Sequence, residues 1–278
     1  MRLLRGELRK LVKRPASYIT LGIFLGVLVL LFVAVGASYR TMGQLPASQG
    51  GGPEAQAAIR SLLEFPGAYG AVVSFVASIG GLFAIAYGAA AAGSDWGWGM
   101  VKVAVARGES RSRYVLTKLA AVLLLLIPAS LLAFLVGVVA VALAAMLAGI
   151  GMSGAGDAGT LQSLPWLLAR SWLALGEQAA IGFAIATLAR SQLAGLGVGI
   201  GVYFVESFAV GFWPEYVRFL PFSVVSSLLR DSTSALGASD QLGRYTIDQP
   251  TALLLVLAYL VASAVVSAIV LERAEITE

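Results

Sequence analysis

Six predominantly apolar stretches leave this chain little choice of fold: Ser17 to Tyr39, about Gly67 to Ala92, Leu119 to about Ile150, Leu164 to Leu188, Leu193 to Phe212, and Pro250 to about Leu271. Each reaches the roughly 20 residues that a helix needs to cross a bilayer. Only 12% of the 278 residues are charged, where a soluble domain carries about a quarter. The expectation is an all-α membrane protein with six transmembrane helices in a single domain over 1–278.

The segment before the first span is basic. Arg2, Arg5, Arg9, Lys10, Lys13 and Arg14 stand against one acid, Glu7, while Leu4, Leu8 and Leu11 recur at helical spacing. That pattern predicts an amphipathic helix over 1–15, apolar on one stripe and basic opposite, lying in a membrane interface. The alternative, a cleaved signal peptide, would have an apolar core of about 7–15 residues. Ser17 to Tyr39 is longer, and similar spans follow it.

Between the spans, Arg40 to Pro66 reads as a loop around Gly50-Gly51-Gly52-Pro53. The third span is longer than a bilayer requires and contains Pro128, so it tilts, bends there or projects beyond the lipid. Gly149 to Ser163 is a glycine-rich turn, and Ala189-Arg190-Ser191-Gln192 a tight one. Two short apolar pieces, Pro214 to Leu220 and Phe222 to Leu229, are separated by Pro221. Neither is long enough to cross, which suits a re-entrant helical hairpin before span six.

Charge sets the expected orientation. With the N-terminus cytoplasmic, the inner segments hold the six basic residues of 1–15, five more in 93–118, and Arg190 and Arg273. The outer segments hold Arg40, Arg60, Arg218, Arg230 and Arg244. The positive-inside rule then puts both termini in the cytoplasm, in a multi-pass protein of the cell membrane.

Several chemistries lack their parts. There is no His and no Cys, so the commonest proton shuttle and metal ligand, thiol nucleophiles and disulfides are all missing. Asp95 and Asp157 flank spans rather than occupy them. No GxxxxGK[ST] phosphate loop precedes Lys10, Lys13, Lys102 or Lys118. The chain is therefore expected not to be an enzyme, to hold no metal or cofactor, to carry no catalytic residue, and to bind no nucleic acid.

Three charges lie within spans: Arg170, Glu177 and Glu206. Charges at such positions are functional candidates because lipid penalises them. At 1.5 Å per residue, Arg170 and Glu206 each lie about 9 Å from the outer end of their span, which favours an Arg170–Glu206 pair fastening spans four and five over a proton path. Glu177 lies deeper, with no evident partner, and is the candidate for facing a wet cavity. Gly195/Gly199, Gly197/Gly201 and Gly22/Gly26 have GxxxG spacing, which lets helix backbones approach closely.

The segment Gly93 to Lys118, GSDWGWGMVKVAVARGESRSRYVLTK, stands apart. A positive-inside loop with interfacial Trp96 and Trp98 accounts for much of it. It does not account for Met100-Val101 and Val103 to Ala106, an apolar run too short to cross. A short helix ending near Arg107-Gly108 would have a face to bury against a partner. Ser110 is placed to cap a cytoplasmic extension of span three, with Glu109 near its positive end.

Together these features resemble the permease subunit of an ATP-binding-cassette (ABC) transporter of the type-2 exporter family, over essentially the whole chain. Glu7-Leu8-Arg9-Lys10-Leu11 followed by Lys13-Arg14-Pro15 looks like that family's approach to span one. Asp95, Gly99-Met100, Ser110-Arg111 and Lys118 look like its acid, Gly-Thr, Ser-Arg and Lys pattern, with Asp for the usual Glu and Met100 for Thr. The resemblance implies a basic elbow helix, a cytoplasmic coupling helix between spans two and three, and a permease dimer in a bacterial or archaeal membrane. It also implies cytoplasmic ABC ATPase subunits that hold the ATP and Mg, with coupling through Asp95, Gly99, Met100, Val103, Arg107, Arg111 and Lys118. Spans one, two and five would line the pathway, with Gly22/Gly26 and Gly195–Gly201 where subunits approach. An apolar, Gly- and Ala-rich wall fits lipids, amphipathic drugs or peptides better than small ions. Two rivals from other classes stand beside it: an ion- or proton-coupled secondary transporter using Glu177, and a non-transporting membrane scaffold.

Overall fold

The structure is a computed structural model that describes residues 2–42, 52–97, 100, 106, 108–229 and 247–274. Among them every regular element is a helix. In chain order these are α1 (Arg2–Val12), α2 (Pro15–Met42), α3 (Pro53–Leu63), α4 (Gly67–Gly97), α5 (Arg111–Ala148), α6 (Ala158–Ala189), α7 (Gln192–Ala209), α8 (Pro214–Val217), α9 (Pro221–Leu228) and α10 (Gln249–Arg273). Six of them, α2, α4, α5, α6, α7 and α10, are long and apolar enough to cross a membrane. Their outward faces are apolar too: Leu30, Leu135, Leu193 and Phe208 are 61–80% exposed, surfaces that lipid or another apolar protein face would cover favourably.

The centre of the bundle is α4 against α6. Both are dense in Gly and Ala, so their backbones meet with almost nothing between. A Cβ on Gly88 would fall 2.0 Å from the Ala179 carbonyl oxygen, and one on Gly182 would fall 2.3 Å from that of Ile85. α7 joins the pair through Gly195, against Ala186, and Gly199, against Ile85. α2 and α5 run side by side and touch where Gly36 faces the Ala144 backbone. α10 packs on α6 and α5.

Most termini follow local chemistry. Gly149 ends α5 with φ 73°, and Arg190 ends α6 with φ 51°. Asp157 caps α6 and Asp248 caps α10, each accepting from the Thr three residues on. The Thr160 hydroxyl and N–H hold the Asp157 carboxyl below the usual carboxylate range, and Thr251 does the same for Asp248. Both caps therefore contribute their stability above the ordinary carboxylate range and lose it as pH falls through the lowered values.

Three expectations change, while for the third span one of the stated alternatives holds. The stretch 149–163 is a turn only as far as Asp157, because α6 starts at Ala158 rather than Leu164. The stretch 40–66 is not simply a loop, since Pro53 opens the 11-residue α3. Proline suits the first helical position, and Leu63 is wholly buried, which anchors the helix to the bundle. The third span is one unbroken helix through Pro128, 38 residues long, or about 57 Å, so it projects beyond about 30 Å of hydrocarbon. Ser110 occupies the cap position of α5, but its side chain makes no capping bond.

Candidate functional site

The amphipathic helix α1 is present. Leu11 on its stripe is buried and Leu4 and Leu8 pack on the core, while Arg5, Arg9 and Lys13 are exposed. One acid, Glu7, shares the buried stripe at 8% exposure. It belongs to a charge cluster that joins three helices.

Asp95, in the last turns of α4, and Lys118, two turns into α5, are 3% and 2% exposed. The Lys118 ammonium donates to Asp95 Oδ2, and the Tyr114 hydroxyl, one turn earlier on the same face, donates to the same oxygen. Lys10 Nζ of α1 donates to Asp95 Oδ1 at 3.3 Å. Glu7 closes the circuit, with Oε1 3.9 Å from Lys10 Nζ and Oε2 3.9 Å from Lys118 Nζ. Acid and base alternate around this ring, so its formal charge is zero. Buried charges are tolerable only when paired in this way.

Other contacts gather at this end. Arg111 Nη1 donates to the carbonyls of Ala274 at 2.6 Å and Glu272 at 3.2 Å, satisfying orphan acceptors at the end of α10. The Arg190 guanidinium lies 5.2 Å from the centroid of the Trp96 ring. The basic end thus binds α1, the end of α4, the start of α5, the α6–α7 turn and the end of α10.

Of the residues expected to couple to a partner, Asp95 and Lys118 meet directly, and Arg111 is engaged with α10. Met100 is helical and half-buried. Gly99, Val103 and Arg107 lie outside the described residues. Tyr114 was not singled out from the sequence, although its i,i+4 spacing to Lys118 put both on one helix face.

The intramembrane charges behave differently from expectation. Arg170 and Glu206 do not pair with each other; they hold opposite ends of α9. Glu206 Oε2 accepts from the N–H groups of Phe222 at 3.0 Å and Ser223 at 3.1 Å, and from the Ser223 hydroxyl at 3.3 Å. Arg170 Nη1 donates to the carbonyl of Leu228, the last residue of α9, at 3.2 Å. An acid at the N-terminus and a base at the C-terminus match the helix dipole and fill its unsatisfied groups. A short helix with open ends competed for both charges and took them.

Glu177 is completely buried rather than facing a wet cavity, and neither carboxyl oxygen has a hydrogen-bond partner among the described residues. Its neighbour Gln178 packs its amide against Gly81. The glycine motifs divide as well. Gly195 and Gly199 are packed within this chain, whereas Gly22, Gly26, Gly197 and Gly201 face open space.

No family model matches this chain, and no curated protein is significantly similar to it.

Proposed function

We propose that this chain is the membrane-embedded permease subunit of an ABC exporter of the type-2 family, working as a dimer with separate cytoplasmic ATPase subunits. The observation that carries this reading is the Glu7–Lys10–Asp95–Lys118 ring. It fastens the basic amphipathic helix to both helices that flank the 98–107 link. A force applied to that link reaches α1, α4 and α5 together, which is what coupling to an external motor requires. In this reading α1 is the elbow helix, the link carries the coupling helix, α8 and α9 form the re-entrant hairpin, and the basic end is cytoplasmic.

Co-expression with a cassette ATPase encoded beside this chain tests the reading. The two should co-purify, and Val103→Asp or Arg107→Glu should weaken assembly by about tenfold or more while membrane insertion is unchanged. Normal assembly and transport in both variants would remove the link from the docking surface.

The Glu177 carboxyl, without a hydrogen-bond partner among the described residues, favours a second reading, proton-coupled transport by this chain alone. In that case Glu177→Gln abolishes uptake driven by a pH gradient in proteoliposomes lacking any ATPase. Under the exporter reading no such uptake exists, and the same variant supports ATP-driven transport.

A further inference from the structure

A cavity of about 270 Å³ lies between α2, α4 and α5 toward the basic end. α2 and α5 run parallel and touch at Gly36 and Ala144. Sixteen residues nearer the basic end they stand apart, around Thr20 and Pro128, and the cavity fills the wedge between them. Its walls are Phe24, Phe83, Leu125 and Leu126, with Leu175 of α6 behind. At its rim Tyr18 and Leu132 are 61% and 42% exposed, so the slot opens sideways onto the apolar outer face of the bundle.

One end is chemically different. Ser17 and Tyr87, both lining the slot, are hydrogen-bonded at 3.0 Å. Arg14 stands one turn before this pair, its backbone carbonyl accepting from the Ser17 N–H at 3.0 Å. Val12 lines the same end, and the exposed Lys13 follows it directly. The slot thus runs from two hydroxyls, at the end where the chain carries Lys13 and Arg14, into an apolar interior, over about 10 Å of helix length from Ser17 to Phe24.

We propose that this slot binds one acyl chain of an anionic phospholipid from the leaflet at the basic end, with its phosphate at Lys13, Arg14 and the Ser17–Tyr87 pair. The shape takes an alkyl chain, the sideways opening admits it from the bilayer, and the cations select an anionic headgroup over a zwitterionic one. The site lies within one protomer. It rests only on the six helices spanning a membrane, so it stands or falls separately from the exporter reading.

The full chain in phosphatidylcholine liposomes, doped with phosphatidylglycerol carrying a photoreactive group on its acyl chain, provides the test. Crosslinks mapped by mass spectrometry should concentrate on the slot, around Phe24, Phe83 and Leu125. Unlabelled phosphatidylglycerol should compete for them on the wild-type protein, whereas phosphatidylcholine should not. Ala129→Trp and Thr20→Trp fill the slot from opposite walls, and each should cut slot labelling by about tenfold. Lys13→Gln and Arg14→Gln should each weaken competition by the anionic lipid by about fivefold. Labelling spread equally over the exposed α5 face at Leu135 and Val139 would overturn the proposal. So would equal competition by phosphatidylcholine, or unchanged slot labelling in the filled variants.

Discussion

Asp95→Asn should be among the most damaging single changes in this chain, because it leaves the Lys118 ammonium buried without its principal counter-charge. Breaking a buried pair from one side costs about 3–5 kcal/mol. That is a large share of the 5–15 kcal/mol by which a folded protein typically exceeds its unfolded state. Lys118→Met should cost a similar amount, by stranding Asp95 between Tyr114 and Lys10 alone. The double variant Asp95→Asn/Lys118→Met should recover much of the loss, since removing both charges removes the uncompensated one. Thermal unfolding in detergent, followed by loss of the monodisperse species, reads all three. If the double variant is as unstable as the sum of the singles, the two residues do not act as a pair. Lys10→Gln is the control: Lys10 is half-exposed and at 3.3 Å, so its removal should cost about 1 kcal/mol or less.

Gly88→Val should be equally severe for a different reason. The added Cβ would fall 2.0 Å from the Ala179 carbonyl oxygen, and backbone cannot step aside as a flexible side chain can. α4 and α6 would have to separate along the seam that organises the bundle. Overpacking typically costs about 1–3 kcal/mol and more where nothing relaxes, so little folded protein is expected. Gly182→Val should behave alike. Gly197→Val is the internal comparison, because nothing lies within 4 Å of its Cβ direction. A stable protomer is expected there, so any defect would report a contact made outside the protomer. If Gly88→Val folds as well as Gly197→Val, the close α4–α6 contact is not the centre of the fold.

The consequence of burying Asp95 against Lys118 was only partly visible in the sequence. Both residues stood in the stretch that resembled a coupling segment, but nothing in their spacing showed them meeting across a 22-residue gap, or Glu7 and Lys10 completing the ring. The glycine motifs gave a mixed result. Gly195/Gly199 and Gly197/Gly201 have identical spacing, yet one pair is packed and the other open. The two closest backbone contacts between α4 and α6, at Gly88 and Gly182, lie outside these GxxxG motifs. Arg170 and Glu206 lie at similar depths along their spans, but depth says nothing about a third partner. α9 had open ends at the same level, and a helix terminus offers several aligned groups where a single opposite charge offers one.

By itself the sequence determined the six membrane-length helices, the amphipathic basic helix before them and the turns at Gly149 and Arg190. Those features depend on residue type and local periodicity, and lipid enforces them because an apolar helix has nowhere else to satisfy its backbone. Only the tertiary structure decided which charge meets which, which glycine admits a neighbouring backbone, and where α2 and α5 part to leave a slot. These are relations between residues far apart in the chain. They depend on the rotation and tilt of whole helices, which hydropathy and spacing do not fix.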